Sequence, residues 1–146
     1  MDIRKLNDDF SVGKQISTQE TRQLAELGYK TIICNRPDAE DDNQPSFASI
    51  NEAAKVAGLN AHHLPVVPGG ITEHDINAFA LVLAEFPSPV FAYCRTGTRA
   101  AALWALTEAK LGVDVDLLLN DASQAGCDLS GMRPLLEAKA KEAAPQ

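Results

Sequence analysis

A cysteine and an arginine in the second half of the chain lie close enough together to form one small anion site. An apolar run ends at Cys94, and Arg99 follows after four residues, where an alanine-rich helical pattern begins. A strand, a tight loop and a helix N-terminus in this order direct backbone N–H groups and the positive helix end at one point. Such surroundings favour the nucleophilic thiolate, and a guanidinium binds two oxygens of an oxyanion at once. The spacing predicts Cys94 and Arg99 as catalytic residues.

The residues between this cysteine and this arginine are predicted to bind the substrate. They are Arg95, Thr96, Gly97 and Thr98. Gly97 permits a positive φ or a close backbone approach, and Arg95 is expected to point outward and attract anions. The alternative is a buried strand cysteine without a catalytic role, which is the common fate of free cysteine.

Length and composition limit the function classes. The chain has 146 residues, 45% hydrophobic and 23% charged, which suits one domain over residues 1–146 with a tail expected to fray after about residue 139. A net charge of −7 argues against nucleic acid or an anionic membrane as partner, and no apolar run approaches the roughly 20 residues of a membrane span. The start lacks the apolar core of a signal peptide, and the cysteines are odd in number. We expect reduced thiols and a cytoplasmic protein; the sequence does not indicate the oligomeric state.

Strands alternate with helices, which predicts an α/β fold in three layers, with a mostly parallel sheet and helices on both faces. Strands are predicted at residues 9–15, 30–35, 60–67 and 89–93. Helices are predicted from the capping box at 17–20 to Gly28, at 47–57, after Thr72, and at 98–111, 114–124 and 131–141. Ligands of such sheets bind beyond the carboxyl ends of the strands. The loops 35–42, 68–75 and 94–99 are expected to meet at that edge.

Three motifs of the chain resemble those of the beta-lactamase-hydrolase-like phosphatase domains. They are Cys34-Asn35-Arg36-Pro37-Asp38, His63-Leu64-Pro65-Val66 with Pro68-Gly69-Gly70-Ile71-Thr72, and Tyr93-Cys94-Arg95-Thr96-Gly97-Thr98-Arg99. The resemblance runs from about Phe10 to Leu118 and implies a cysteine-phosphatase fold similar to that of the dual-specificity phosphatases. Members of this family occur in bacteria alone or fused to enzymes that oxidise persulfides or sulfide. That association implies sulfane-sulfur chemistry.

The cysteine loop departs from the phosphatase pattern. Cysteine phosphatases place five residues between the thiolate and the arginine and favour a hydroxyl residue after the arginine, whereas this chain has four and then Ala100. The shorter loop resembles that of the rhodanese-type sulfurtransferases, in which the cysteine carries a persulfide. Because a terminal sulfur is smaller than a phosphoryl group, we expect the smaller loop to suit sulfur transfer.

The general acid of the phosphatases also lacks a clear counterpart. Phosphatases of this fold protonate the leaving oxygen with an aspartate after the third strand, and that position corresponds to Pro68. Asp75 is a possible acid, although a Thr72-x-x-Asp75 capping pattern explains it without catalysis. Sulfur transfer to a thiol needs no comparable acid, so both departures favour sulfur chemistry.

Cys34 and Arg36 end a strand that is expected to reach the same sheet edge as Cys94. The resemblance implies a possible resolving thiol in Cys34, because some phosphatases of this fold form a disulfide between a cysteine at this place and the nucleophile; a plain buried thiol is the alternative. Arg36 could bind substrate oxygens or pair with the acidic loop that follows it. His62 and His63 point to opposite faces of a strand, so no metal is expected, and the predicted chemistry needs no cofactor.

These expectations combine into a cysteine-dependent sulfurtransferase. Cys94 would take sulfane sulfur from a small anionic donor such as thiosulfate or a persulfide, and a thiol acceptor or cyanide would then remove it. The first alternative is a phosphatase-like hydrolase that forms a phosphocysteine at Cys94. The second is a non-catalytic module that binds an anion or a persulfide in the same loop.

Overall fold

Five short strands and six α-helices make up the computed structural model, which describes residues 1–143. The strands are β1 (Arg4–Lys5), β2 (Phe10–Gly13), β3 (Thr31–Cys34), β4 (Asn60–His63) and β5 (Val90–Tyr93). The helices are α1 (Glu20–Glu26), α2 (Phe47–Val56), α3 (Glu73–Glu85), α4 (Thr98–Lys110), α5 (Val115–Gln124) and α6 (Arg133–Glu142), with a 3₁₀ helix at Ser130–Met132.

The strands form one sheet in the order β1-β2-β5-β3-β4. β2, β5, β3 and β4 are parallel, and β1 pairs antiparallel with β2 at the edge. The predicted α/β class with a mostly parallel sheet is confirmed. β5 lies between β2 and β3, so the loop that follows it begins at the centre of the carboxyl edge, where ligands of parallel sheets bind.

Helices cover both faces of the sheet, and each face has its own apolar core. On one face, α1 and α2 contribute Leu24 and Ile50 to a cluster that also contains Phe91 and Tyr93 of β5. On the other face, α3 to α6 pack over a larger cluster that contains Ala92. Successive residues of β5 therefore face opposite cores, as the two-residue period of a strand requires.

α4 carries the cysteine loop at its N-terminus and is anchored along most of its length. Nine of its 13 residues are buried, and five of those are alanines, which let neighbouring elements approach closely. It packs against α3, α5 and α6. The N-terminus of α4 is therefore held by the core, which is how a scaffold positions a functional loop accurately.

Two predicted capping boxes form. Before α1, Ser17 Oγ accepts from Glu20 N at 3.3 Å while Glu20 Oε1 accepts from Ser17 N at 2.8 Å. At the start of α3, Thr72 Oγ1 accepts from Asp75 N at 3.1 Å while Asp75 Oδ2 accepts from Thr72 N at 2.8 Å. Each box satisfies two backbone donors that a helix terminus would otherwise leave unpaired.

The elements differ from the predicted ones at three places. β1 is additional, because a two-residue strand carries no readable periodicity. The strand predicted at 60–67 ends at His63. The helix predicted at 131–141 begins at Arg133, after the 3₁₀ helix, and ends at Glu142. The fraying expected after about residue 139 stays a prediction, and residues 144–146 lie outside the described residues. Within residues 1–143, no helix combines the length and the apolar character needed to cross a membrane.

Candidate active site

The loop between β5 and α4 holds Cys94 under a turn that glycine adopts readily. Gly97 has a φ of 97°, in the left-handed region that side chains disfavour. Its N–H donates to Cys94 Sγ at 3.0 Å, and it is the N-cap residue of the 13-residue α4. Cys94 is fully buried, and its sulfur contacts the loop backbone at the positive end of that helix. Both features stabilise negative charge on the sulfur.

Glu40, from the loop after β3, holds the guanidinium of Arg99. Glu40 Oε2 accepts from Arg99 Nη1 and Glu40 Oε1 accepts from Arg99 Nη2, both at 2.8 Å. Val66 O also accepts from Nη1 at 2.8 Å. The hydrogen bonds from Arg99 lower the pKa of Glu40, and the Glu40 carboxylate raises the pKa of Arg99. The two groups are therefore a charged pair at neutral pH.

The remaining donors of Arg99 share one edge of the guanidinium. Glu40 and Val66 take both hydrogens of Nη1 and one of Nη2, so Nε–H and the second Nη2–H donate to no oxygen of the described residues. These two donors form the side edge that binds two oxygens of an oxyanion. Glu40 is the main cause of the raised pKa of Arg99, and the charge of Cys94 and a side-chain hydrogen bond to it raise that pKa further, so the sulfur and the guanidinium are neighbours.

Arg36 is buried and bound on every side by protein groups. It donates through Nε to Glu40 Oε1 at 2.9 Å, through Nη2 to Asp41 Oδ2 at 2.8 Å and through Nη1 to Gln15 Oε1 at 3.0 Å. Of the two roles open for Arg36, this geometry favours pairing with the acidic loop over contact with substrate. Glu40 thereby links Arg36 to Arg99.

Arg4, in the edge strand β1, supports the cysteine loop. Its Nη2 donates to Thr96 O, and its Nη1 donates to Cys127 Sγ at 3.3 Å. A Cβ atom added to Gly97 would collide with Nη2 of Arg4. Gly97 is therefore favoured by its φ, and a side chain at this position would displace the Arg4 guanidinium.

Neither Glu40 nor Arg4 is predicted from the sequence. Glu40 is 59 residues from Arg99, and its only local signal is its place in an acidic run after Arg36. Arg4 is 92 residues from Thr96 and carries no local signal at all. Both residues act through contacts that only the fold creates.

The other loop residues lie at the surface. Arg95 is 66% exposed and points outward as expected, with its Nε 3.7 Å from Asp41 Oδ2. Thr96 Oγ1 accepts from Thr98 N at 3.4 Å and lies 3.3 Å from Thr98 Oγ1. Two hydroxyls and one cation are therefore available at the rim of the loop.

No carboxylate hydrogen-bonds to Cys94 in the part of the chain that the structure describes. Asp75, the possible acid, is occupied by the capping box of α3. Pro68, at the position where the phosphatases place their acid, lines an apolar groove next to the loop. Asp41 is an exposed carboxylate at the rim of the loop, where it forms an ion pair with Arg36 and lies near Arg95.

Cys34 and Cys94 belong to the cores on opposite faces of the sheet. Cys34 Sγ donates to Arg36 O at 3.3 Å, and burial raises the pKa of its thiol. Cys127 is buried beside Arg4, and burial raises the pKa of its thiol too. All three cysteines are among the described residues, and none forms a disulfide. The resolving role of Cys34 stays a prediction.

The two neighbouring histidines of β4 are packed against aromatic rings. His62 contacts Phe86 with ring centroids 4.1 Å apart, and burial lowers the pKa of its imidazole. His63 stacks on Phe47 at 4.7 Å, and its Nε2 lies 2.9 Å from Arg36 O. Among residues 1–143, no group of three or more His, Cys, Asp or Glu side chains could hold a metal ion.

Comparison with known proteins gives consistent matches. The family model described as "Beta-lactamase hydrolase-like protein, phosphatase-like domain" matches residues 2–111. The beta-lactamase hydrolase-like protein of Xylella fastidiosa is 40% identical over 108 residues, which are 74% of this chain and 25% of that protein. This chain therefore spans about a quarter of the length of the curated relatives it matches.

Solved structures match over nearly the whole chain. A Neisseria meningitidis protein that is provisionally described as a phosphatase shares 40% identity and a TM-score of 0.84, covering 95% of this chain and 99% of that one. Kinase-associated phosphatase, whose catalytic site contains a cysteine, shares 14% identity and a TM-score of 0.68, covering 94% and 89%. The predicted fold, that of the dual-specificity cysteine phosphatases, is confirmed. These relatives favour phosphatase over sulfurtransferase chemistry, which reverses the order of the two predictions.

Proposed function

Since this chain belongs to the family of phosphatase-like domains of the beta-lactamase hydrolase-like proteins, we propose that it is a cysteine-dependent hydrolase of phosphate monoesters. The proposal is carried by Cys94 Sγ under the Gly97 N–H, with the guanidinium of Arg99 held beside it by Glu40. A thiol nucleophile, a helix N-terminus and two free guanidinium donors are the groups that phosphoryl transfer through cysteine requires.

The first step transfers the phosphoryl group to sulfur. The Cys94 thiolate attacks phosphorus, and a P–S bond forms while the bond from phosphorus to the leaving oxygen breaks. The electron pair of that bond departs with the oxygen, which takes a proton from water. The Nε–H and the free Nη2–H of Arg99 bind two non-bridging oxygens and stabilise their charge in the transition state.

The second step returns the enzyme to its starting state. Water attacks the phosphocysteine, a P–O bond forms, and the P–S bond breaks with its electron pair on Cys94 Sγ. Inorganic phosphate leaves, together with the proton that the water released. The Gly97 N–H and the helix N-terminus stabilise the returning thiolate, which makes sulfur a good leaving group.

The carboxylates near the loop restrict the alcohol that can leave in the first step. Arg99 lowers the pKa of Glu40 and so keeps it ionised, and Asp75 is occupied by the capping box. Asp41, the exposed carboxylate at the rim, is paired with Arg36. With no carboxyl group of the described residues left to protonate the leaving oxygen, esters of weakly basic alcohols such as phenols are the favoured substrates. We expect rates to fall steeply as the leaving alcohol becomes more basic.

Sulfur transfer through a Cys94 persulfide is the second candidate. The observation that favours it is the same missing acid, because transfer of sulfane sulfur from thiosulfate or a persulfide needs no proton at a leaving oxygen. The four-residue loop, one residue shorter than in the cysteine phosphatases, also favours a smaller group on the sulfur. A thiol would then accept the sulfur.

Intact-protein mass spectrometry after acid quench separates the two chemistries. The protein is mixed with p-nitrophenyl phosphate in one arm and with a low-molecular-weight persulfide in the other. We expect an adduct of about 80 Da, a phosphoryl group, in the first arm, and the sulfurtransferase alternative instead gives about 32 Da, one sulfur atom, in the second. Peptide mapping locates the adduct, which is expected on Cys94.

The matched control uses another buried thiol. Cys94→Ser is expected to abolish both the adduct and phosphate release. Cys34→Ser should retain both, because serine can donate the same hydrogen bond to Arg36 O. A wild-type protein that binds phosphate but forms no adduct in either arm would support the non-catalytic module instead.

The proposed reaction needs only the ester and water as reactants. The formal net charge of −7 argues against a nucleic acid partner. The cytoplasm stays the expected compartment, because the three cysteines are free and reducing compartments preserve thiols.

A further inference from the structure

An apolar groove of about 540 Å³ opens directly from the cysteine loop. Its cationic end is formed by Arg95 and Arg99 of the loop, and its walls include Ile71, Leu106, Met132 and Leu135. This volume lies within the range of small-molecule sites. Another hollow of about 420 Å³ is lined by residues of 18–22 and 53–57 and includes no loop residue.

The lining of this groove combines positive charge with apolar surface. The donors of Arg99 and the exposed guanidinium of Arg95 favour an anion. Among its apolar residues, the half-buried Met132 offers aliphatic surface, and Leu135 is 51% exposed with nothing covering its outer half among the described residues. A ligand that fits both parts carries one anionic group on an apolar body.

Resting on the proposed function, we infer that this groove binds the alcohol part of the substrate. The lining thus favours the binding of phosphate monoesters whose alcohol part is small and apolar over that of sugar phosphates. A sugar would leave its hydroxyl groups without partners against the leucine and methionine side chains, which costs free energy.

The apolar wall comes partly from outside the part of the chain that carries the chemistry. The family model ends at residue 111, whereas Met132 and Leu135 lie in the 3₁₀ helix and α6. α6 packs against α4, the helix that holds Arg99. The C-terminal segment therefore places apolar side chains beside a loop that it does not itself form.

Calorimetric titration of the Cys94→Ser variant tests the inference without turnover. The ligands are methyl-, butyl- and hexylphosphonate, which share one anionic group and differ only in apolar length. Full burial strengthens binding about fourfold per CH₂, and this open groove should supply about half of that free energy, or about twofold per CH₂. Hexylphosphonate is then expected to bind about thirtyfold more tightly than methylphosphonate.

Two further substitutions on the same background locate the effect. Leu135→Ser should weaken hexylphosphonate about threefold or more and leave methylphosphonate unchanged. Leu117→Ser is the matched control, because Leu117 lies on α5, is equally 51% exposed and does not line the groove. It should change neither affinity.

The outcomes separate this inference from the proposed function. Equal affinities for methyl- and hexylphosphonate overturn the inference, while binding of methylphosphonate keeps the anion site of the proposed function. A length dependence that survives Leu135→Ser also overturns the inference. If inorganic phosphate and all phosphonates fail to bind, the anion site is refuted, and the inference falls with it.

Discussion

Replacing Glu40 with glutamine removes the charge that holds Arg99 without changing the side-chain size. Glu40 accepts three hydrogen bonds of 2.8 to 2.9 Å, two from Arg99 and one from Arg36. Each charge-assisted bond contributes about 1.5–3 kcal/mol. The sum of these three contributions is an upper bound, because the side chains of Glu40 and Arg99 stay 23% and 13% exposed and glutamine keeps one accepting oxygen. We expect the free energy of unfolding to fall by about 2–3 kcal/mol at pH 7.

The loss of stability in Glu40→Gln should depend on pH in a defined direction. In the folded protein, Arg99 lowers the pKa of Glu40 below 4.5, its ordinary value. Between the lowered folded pKa and the unfolded pKa of about 4.5, the unfolded chain therefore binds more protons than the folded one, and stability rises with pH. The contribution of Glu40 is complete above pH 4.5 and is lost as the pH falls through the lowered folded value. The difference in free energy of unfolding between wild type and variant is therefore expected to shrink as the pH falls through this range.

Urea denaturation followed by the fluorescence of the buried Trp104 measures this difference. With a slope of about 2 kcal/mol per molar urea, the midpoint of Glu40→Gln should lie about 1–1.5 M below that of the wild type. The control is Glu52→Gln, because Glu52 is exposed and forms no ion pair within residues 1–143. Misplacement of Arg99 should also lower kcat/KM for an aryl phosphate about tenfold or more. Equal midpoints for the two variants at pH 7 would refute the role of Glu40.

Three other substitutions test the supports of the loop. Gly97→Ala should lower the free energy of unfolding by about 1–2 kcal/mol and remove nearly all activity, because it strains a positive φ and displaces Arg4. Gly58→Ala is the control, since Gly58 also has a positive φ but lies in open space, and it should lower stability alone. Denaturation and kcat/KM measure the two effects. Arg4→Gln should lower kcat more than it raises KM, since it supports Thr96 O without touching substrate; unchanged kinetics would contradict this. Asp75→Ala should cost about 1 kcal/mol through the lost capping box and leave the pH profile of kcat unchanged, whereas loss of its basic limb would restore Asp75 as the acid.

Most of the fold could be predicted because glycine, proline and capping residues mark where elements begin and end. Gly28 and Gly58 follow the ends of α1 and α2 with positive φ, and Thr72 begins α3 as its spacing to Asp75 indicates. These signals are local, so a sequence displays them. β1 was beyond such reasoning, since its pairing of Arg4 with Val12 depends only on the adjacent strand.

The candidate site divides in the same way. Cys94, Gly97 and Arg99 are close in sequence, and their spacing predicted a loop that the structure forms. The short loop favoured sulfur transfer, whereas the relatives of this chain are phosphatase-like. Loop length alone was therefore a poor guide to the choice between phosphoryl and sulfur chemistry. Arg36 was a candidate from the sequence with two roles open, whereas the link that Glu40 makes between Arg36 and Arg99 exists only in the folded chain.

If the proposed function holds, the contribution of α6 to the groove assigns substrate choice and reactivity to different parts of the chain. In the proposed reaction, breaking the ester bond would depend on residues 94–99 and their supports, while Met132 and Leu135 would contact the alcohol part of the substrate. Exchanging the last thirty or so residues between homologues would then transfer preference without touching reactivity. In such a chimera the catalytic rate constant on a minimal ester should follow the donor of the loop, and the ranking of bulky esters should follow the donor of the final helix.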